Sequence, residues 1–385
     1  MTIYLIMFLF AEIFAFLSVY YNNRVNVVTG ELPLNIHKWN RVQSKFWLWL
    51  SAMPFFLIAA LRYRVGTDYS VYMDMQIPQL LRGIDYKLKY EYLYQAVIKL
   101  GMAISGYQLV FILTHLILLF FIWKSFENLS ADLCFSVFIF MFGAFYNTSL
   151  NIMRQSIAMA VFMYSIKFIV RRDFRRFFIM IIIAFLFHKS AIIFLPLYWL
   201  PEIKISDKVA IGSAVIVGIL AEPIRVLIVG ISNFTGLYSM YFNSQFDINN
   251  RQWDFALFNF VLLLMILYIR KFLSNQEPTN TYRHTIIRRE NVNIFESTMF
   301  NLQVLTVYTS VLSNIIPNST RIIFMFSVGQ MIYIPFIVQR IKNNTLRRFI
   351  IATIVAMYLV LFVRLILMRN IGDTRPYHFI SMFNF

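Results

Sequence analysis

Residues 177–200 read FFIMIIIAFLFHKSAIIFLPLYWL, apolar almost throughout, yet His188, Lys189 and Ser190 sit at the centre. An imidazole exchanges protons near neutral pH and a cation stabilises developing negative charge, so this trio is a candidate for proton transfer beside an anion. Arginines add to it. Arg154, Arg321 and Arg364 fall in or next to apolar segments, where a charge costs roughly 2.5 to 3.5 kcal/mol at mid-helix and marks function by default. A guanidinium offers a planar donor fork that suits a diphosphate held near lipid, and it keeps its proton. In NTSLNIMRQ, Asn147, Asn151 and Arg154 stand at i, i+4 and i+7, a helical face that reads either as part of a site or as polar glue between helices. Arg321 follows a Pro317 break and starts a new span, where a helix N-terminus favours an anion; Arg364 lies about one turn inside the outer end of the last span.

Two further stretches carry carboxylates. LRYRVGTDYSVYMDMQ, residues 61–76, holds Arg62 and Arg64, then Gly66, which permits a turn, and Thr67–Asp68, which suit a helix start. Asp68 shares a face with Tyr72 at i+4 and reads as a general base, a sugar-hydroxyl acceptor or an N-cap. Glu91 opens the amphipathic run KYEYLYQAVIKL, where a carboxylate also complements the helix dipole. His188 is the first choice of base for an acceptor hydroxyl and Asp68 the second. No carboxylate pair, H-x-E, C-x-x-C or glycine-rich phosphate loop appears in these outer segments, so neither a metal nor a cofactor is expected. Cys134, the single cysteine, excludes an intramolecular disulfide.

The elements that must position these groups follow from composition. Of 385 residues, 59% are hydrophobic and 14% charged, with 41 Phe and a mean hydropathy of +0.66, which places the chain in the integral membrane class. Apolar windows near 2–20, 46–61, 106–123, 133–147, 153–170, 177–187, 191–200, 209–230, 255–269, 297–316, 321–339 and 349–368 predict an all-α polytopic protein of about 12 transmembrane or half-membrane helices. No basic residue precedes the first apolar core and Arg24 follows it, so the first span is expected to be retained with the N-terminus outside. Breaking 177–200 at His188 puts every strongly basic connection on one side, the cytoplasm: Arg24 to Lys45, Lys124, Lys167 to Arg176, Lys204 and Lys208, Arg270 to Arg289, and Arg340 to Arg348. The expected organisation is one membrane domain, 1–385, with outer segments 62–92 and 231–254 and cytoplasmic loops 21–45 and 270–295.

An element of ten or eleven residues rises roughly 16 Å, about half of a hydrocarbon core. His188 and Lys189 would then line the floor of an outward-facing cleft, since a charge and irregular backbone at that depth need protein or water around them. The alternative lengthens both elements, to 174–187 and 190–203, and leaves an ordinary hairpin with a wet tip. Lys87, Lys89, Arg369 and Arg375 read as residues that snorkel to headgroups. Outer aromatics, Tyr69, Tyr72, Tyr90 and Trp253 among them, suit either stacking on sugars or an interfacial belt.

The succession RYRVGTDYSVY, YEYLYQAVIKL, NIMRQSIAMAVFMYSI, the basic turn RRDFRR, FHKSAIIFLPLYWL and a terminal PYHF resembles the EpsG-type family of exopolysaccharide polymerases, related in role to Wzy O-antigen polymerases. The resemblance implies a multi-pass enzyme of the bacterial cytoplasmic membrane. Such an enzyme transfers a growing capsule- or exopolysaccharide-type glycan from undecaprenyl diphosphate to the next lipid-linked repeat unit on the outer face. It carries family features onto Arg62, Gly66, Asp68, Glu91, Arg154, Gln155, His188 and Ser190, although the Pro-Gly that often follows the family's glutamate is missing here. With it come the lipid-linked oligosaccharide and membrane lipids as partners, room for a flippase and a chain-length regulator, and no nucleic acid. Two other classes stay open: a membrane glycosyltransferase that uses polyprenyl-phosphate sugars, and a flippase or transporter for lipid-linked oligosaccharides, which internal repeats would favour and which shows none here.

Overall fold

Lipid offers backbone N–H and C=O groups no partners, so long apolar runs close their own hydrogen bonds as helices. In a computed structural model of the chain, residues 1–27, 34–84, 88, 90–235, 242, 253–274, 287, 289–313, 315–317 and 320–380 are described. Lys87, Lys89, most of 231–254 and much of the 270–295 loop lie outside them. The described residues are helical, and the one extended pairing among them is an antiparallel bridge between Arg62 and Phe379.

Six helices among the described residues are long and apolar enough to cross a membrane: Thr2–Arg24, Lys38–Ala60, Tyr107–Leu129, Met153–Val170, Trp253–Ser274 and Asn344–Met368. Counting the bent pairs Asp207–Ile219 with Ala221–Phe234 (66°) and Thr320–Ser327 with Gln330–Gln339 (41°) as one span each gives 8. The apolar windows correspond to helices, but several fall short of a span. Window 133–147 divides at Gly143 and Ala144 into Leu133–Phe142 and Phe145–Ser149, with Ala144 left-handed at φ 61°. Window 297–316 belongs to Val292–Leu312, whose Glu296, Asn301 and Gln303 lower its hydropathy.

The described chain divides into two compact units. In the first, made of Met1–Tyr198 and the stretch from Phe362, the Met153–Val170 helix runs through the centre with nearly every side chain buried, against Tyr107–Leu129 and Phe174–Phe187. Phe55, Trp123, Phe140 and Tyr146 form an aromatic core with ring centroids 5.1 to 5.9 Å apart. Trp123 Nε1–H donates to Ser51 Oγ at 2.8 Å, which satisfies the indole inside that core. The helix Phe174–Phe187 stops where the sequence suggests: His188 is extended (φ −155°, ψ 120°) and a 3-10 helix, Lys189–Glu202, follows. Both elements have 14 residues, which matches the longer of the two alternatives, because Arg175 and Arg176 extend the first helix beyond the apolar run.

A strap from Asn370 to Ile380 closes the first unit. Tyr63 N–H donates to His378 C=O (2.9 Å), Gly66 N–H to Asp373 C=O (3.0 Å), Thr67 N–H to Gly372 C=O (3.0 Å) and Ile380 N–H to Leu61 C=O (2.9 Å). Tyr4 Oη–H donates to Thr374 C=O at 2.8 Å and Asn147 Nδ2–H to Thr374 Oγ1 at 2.9 Å, so the strap is also tied to the first helix and to the Phe145–Ser149 turn.

The second unit, Trp199–Thr281 and Arg289–Leu361, is organised around buried amides. Gln330 Nε2 donates to Asn259 Oδ1 (2.7 Å) and to Gln303 Oε1 (2.9 Å), Asn259 Nδ2 donates to Ser310 Oγ (2.9 Å), and Tyr358 Oη donates to Gln330 Oε1 (3.1 Å). Four helices are joined by this network. Glu296 joins helix ends in the same way, accepting from Arg270 Nε at 3.3 Å and from Arg340 Nη1.

Candidate functional site

Glu91 stands at the N-terminus of Tyr92–Ile104, but its side chain does not cap that helix. It turns into the first unit and is fully buried. One oxygen, Oε1, accepts from His188 Nδ1 at 2.7 Å and from the Lys189 backbone N–H at 3.2 Å; the other, Oε2, accepts from Arg154 Nη1. The carboxylate is 0% exposed, Arg154 12% and His188 17%, so the two partners form the less buried side of the cluster.

Local folding places each member. His188 is the residue at which a helix gives way to a 3-10 segment, and its extended backbone aims the ring back at Glu91 while presenting the Lys189 N–H to the same oxygen. Arg154 is the second residue of its helix, just after the chain breaks at Asn151 and Ile152. Its Nε–H donates to Tyr72 Oη at 3.3 Å and its guanidinium lies 5.7 Å from the Tyr72 ring centroid. Tyr72 belongs to a π-helical turn, Val71–Gln76, a geometry that recurs at functional sites.

Burial by itself would raise the Glu91 carboxyl; the His188 hydrogen bond and the Arg154 charge outweigh it and hold the group below the ordinary carboxylate range. With Nδ1–H donating to this carboxylate, the neutral imidazole carries its lone pair on Nε2. The result is a basic nitrogen, oriented by a carboxylate, next to a fixed guanidinium. Proton acceptance and charge stabilisation can occur side by side.

The other sequence candidates are distributed around this cluster. Lys189 contributes its backbone; its side chain is exposed, Ser190 is half-buried and Gln155 is buried. Asp68 is half-buried in the first turn of Thr67–Ser70, where Gly66 takes the N-cap position, and its backbone N–H donates to Asn151 Oδ1 at 3.3 Å. Arg62 is fully buried. Its Nη1 donates to the carbonyls of Leu150 and Val65, its Nη2 meets Met153 Sδ at 3.0 Å, and its cation faces the rings of Tyr69 and Phe111 at 5.6 and 5.3 Å. Arg64 is exposed beside the Tyr63 ring, at 5.7 Å. Arg364 is exposed, with Nη1 3.8 Å from Met368 Sδ. Arg321, half-buried, belongs to the second unit. The face read through Asn147, Asn151 and Arg154 does not form one helix: the break after Ser149 gives Asn147 to the strap, Asn151 to Thr67 Oγ1 at 3.2 Å, and Arg154 to Glu91.

Spacing along the chain does not signal the joining of His188 to Glu91 or the anchoring of Arg154 by Tyr72. Two patterns carry a trace of it: an acidic residue that opens a helix without capping it, and a cation–histidine pair in an apolar run.

A family model described as the EpsG family matches residues 45–379, a stretch that includes the Glu91 cluster and nearly all of the strap. Neither a curated protein nor a solved structure matches the chain.

Proposed function

The chain belongs to the EpsG family, and from that membership and the Glu91 cluster we propose that it is a polysaccharide polymerase of the bacterial cytoplasmic membrane. It takes a growing glycan from undecaprenyl diphosphate and transfers it to the next lipid-linked repeat unit on the outer face, with the N-terminus outside. The reading rests on one observation: a single buried carboxylate holds an imidazole and a guanidinium together, so a base and an anion-stabilising group share a site.

In the reaction, His188 Nε2 takes the proton of the acceptor hydroxyl while the hydroxyl oxygen bonds to the anomeric carbon. The bond from that carbon to the diphosphate oxygen breaks, and its electron pair leaves with the diphosphate. Arg154 stabilises the charge that develops there. Glu91 keeps the imidazole in the Nδ1–H tautomer and offsets the imidazolium that forms. Arg62, enclosed by carbonyls and rings, shapes the segment that carries Asp68 and Tyr72. Asp68 is the second candidate base, and Lys189, Ser190, Gln155, Arg64 and Arg364 are secondary contacts for glycan or phosphate.

A deletion strain tests the pathway assignment. Loss of long polymer, with single lipid-linked repeats accumulating on the outer leaflet, is the expected result. Accumulation of unflipped repeats on the cytoplasmic leaflet would assign a transporter instead.

A further inference from the structure

Arg154 has less of its fork available than a free arginine. Nη1 is committed to Glu91 and Nε to Tyr72, and Nη2 takes no partner among the described residues. A bidentate grip on a phosphate therefore needs a second donor beside Nη2. Nε and Nη2 share one edge of the guanidinium, so the group bound at Nε stands next to any oxygen that Nη2 holds.

That group is the Tyr72 hydroxyl. Its oxygen accepts from Nε–H, which turns its own proton away from the cation, and no described residue accepts that proton. The residue is 3% exposed and its ring is fixed against Tyr94, with centroids 6.0 Å apart and planes at 60°. A buried phenol proton without an acceptor is unfavourable, and a ligand oxygen on the Nη2 edge removes that deficit.

We propose that Tyr72 is a phosphate-binding residue of this site, its O–H donating to the same anionic oxygen or phosphate group that Arg154 Nη2 holds. The proposal rests on the polymerase reading for the source of the phosphate, the diphosphate of a polyprenyl lipid. It differs from that reading in assigning the second donor to a neutral phenol instead of to another cation.

Full-length protein in nanodiscs, titrated with undecaprenyl diphosphate, with undecaprenol as the lipid control and inorganic diphosphate as the headgroup control, tests it. Tyr72→Phe keeps the ring contacts to Tyr94 and Arg154, loses the acceptor of the Arg154 Nε–H, and should still fold, with at most a small drop in melting temperature. Its affinity for undecaprenyl diphosphate should fall about tenfold or more, as loss of a hydrogen bond to a charged group does. A 3-fluorotyrosine at position 72 should show a 19F shift with undecaprenyl diphosphate and none with undecaprenol, a response that a purely structural tyrosine would not give. Competition by inorganic diphosphate would assign the effect to the phosphate. Wild-type binding matched by Tyr72→Phe, or a silent 19F signal during binding, would overturn the role of Tyr72 alone. No binding of undecaprenyl diphosphate by the wild-type chain would overturn both this proposal and the lipid-diphosphate reading.

Discussion

One carboxylate serves two partners, and the energetic consequence is lopsided. Removing Glu91 leaves a largely buried guanidinium without a counter-charge, and breaking such a pair from one side costs about 3–5 kcal/mol. Glu91→Ala should therefore melt well below wild type at neutral pH. The pH dependence has a definite sign. The folded-state carboxyl lies below its ordinary value, so its contribution is fully present above about pH 4.3 and disappears as pH falls through the lower folded-state value. Melting curves of wild type and Glu91→Ala in detergent should converge in acid; a constant gap down to the lowest pH would show that the carboxylate charge is not what stabilises the cluster. At Arg154, lysine keeps the charge but cannot reach Glu91 and Tyr72 with separate nitrogens. Polymer from Arg154→Lys should fall sharply at unchanged protein abundance, and wild-type polymer would reduce Arg154 to a structural tie. His188, Glu91 and Arg154 are all legible as chemically unusual residues. Their union is not, because the carboxylate is brought to His188 across 97 positions by packing of the Tyr92–Ile104 and Phe174–Phe187 helices.

The elements show where periodicity suffices. The break at His188 was readable because a cation and a histidine interrupt an apolar run. The apolar run does not choose between the shorter and the longer elements, and the structure has the longer, because the basic residues at 175 and 176 join the helix in spite of their charge. Hydropathy also cannot see a bend: 209–230 reads as one apolar window in spite of Glu222 and Arg225, yet its two helices meet at 66°. Gly66 is a position where the backbone itself dictates the residue. At φ +100°, and with an added Cβ only 2.7 Å from Asn151 Oδ1, Gly66→Ala should destabilise by about 1–3 kcal/mol and loosen the strap, read as faster amide exchange at Thr67 and Tyr63. Unchanged exchange would separate Gly66 from the strap. In the second unit, Gln330→Ala removes the donor from Asn259 Oδ1 and from Gln303 Oε1, with an expected loss of about 1–3 kcal/mol per group in thermal unfolding. Those amides are spread over three helices, and no spacing rule connects Asn259 to Gln330.

Across the whole molecule, the charge pattern remains the organising feature. Basic connections on one side of the membrane predict Ser206 in the cytoplasm and Ser105 outside, and both residues are exposed. In a Cys134→Ala background, an impermeant thiol reagent added to intact cells should label Ser105→Cys and not Ser206→Cys. Equal labelling would contradict the topology and, with it, an outward-facing site. Membrane class and helical architecture follow from composition alone, whereas the division into two units does not, because apolar surface that packs on protein and apolar surface that meets lipid have the same composition.

The proposed reaction is tested most directly by reconstituting the purified chain in proteoliposomes with lipid-linked repeat units extracted from the deletion strain, and following product length by mass spectrometry. Wild-type protein should extend the repeats. His188→Ala should slow transfer by roughly a hundredfold or more, as loss of a general base does, and His188→Gln, which can hydrogen-bond a sugar but takes no proton at neutral pH, should not restore it. Extension by His188→Ala at the wild-type rate and to the wild-type length would contradict the account.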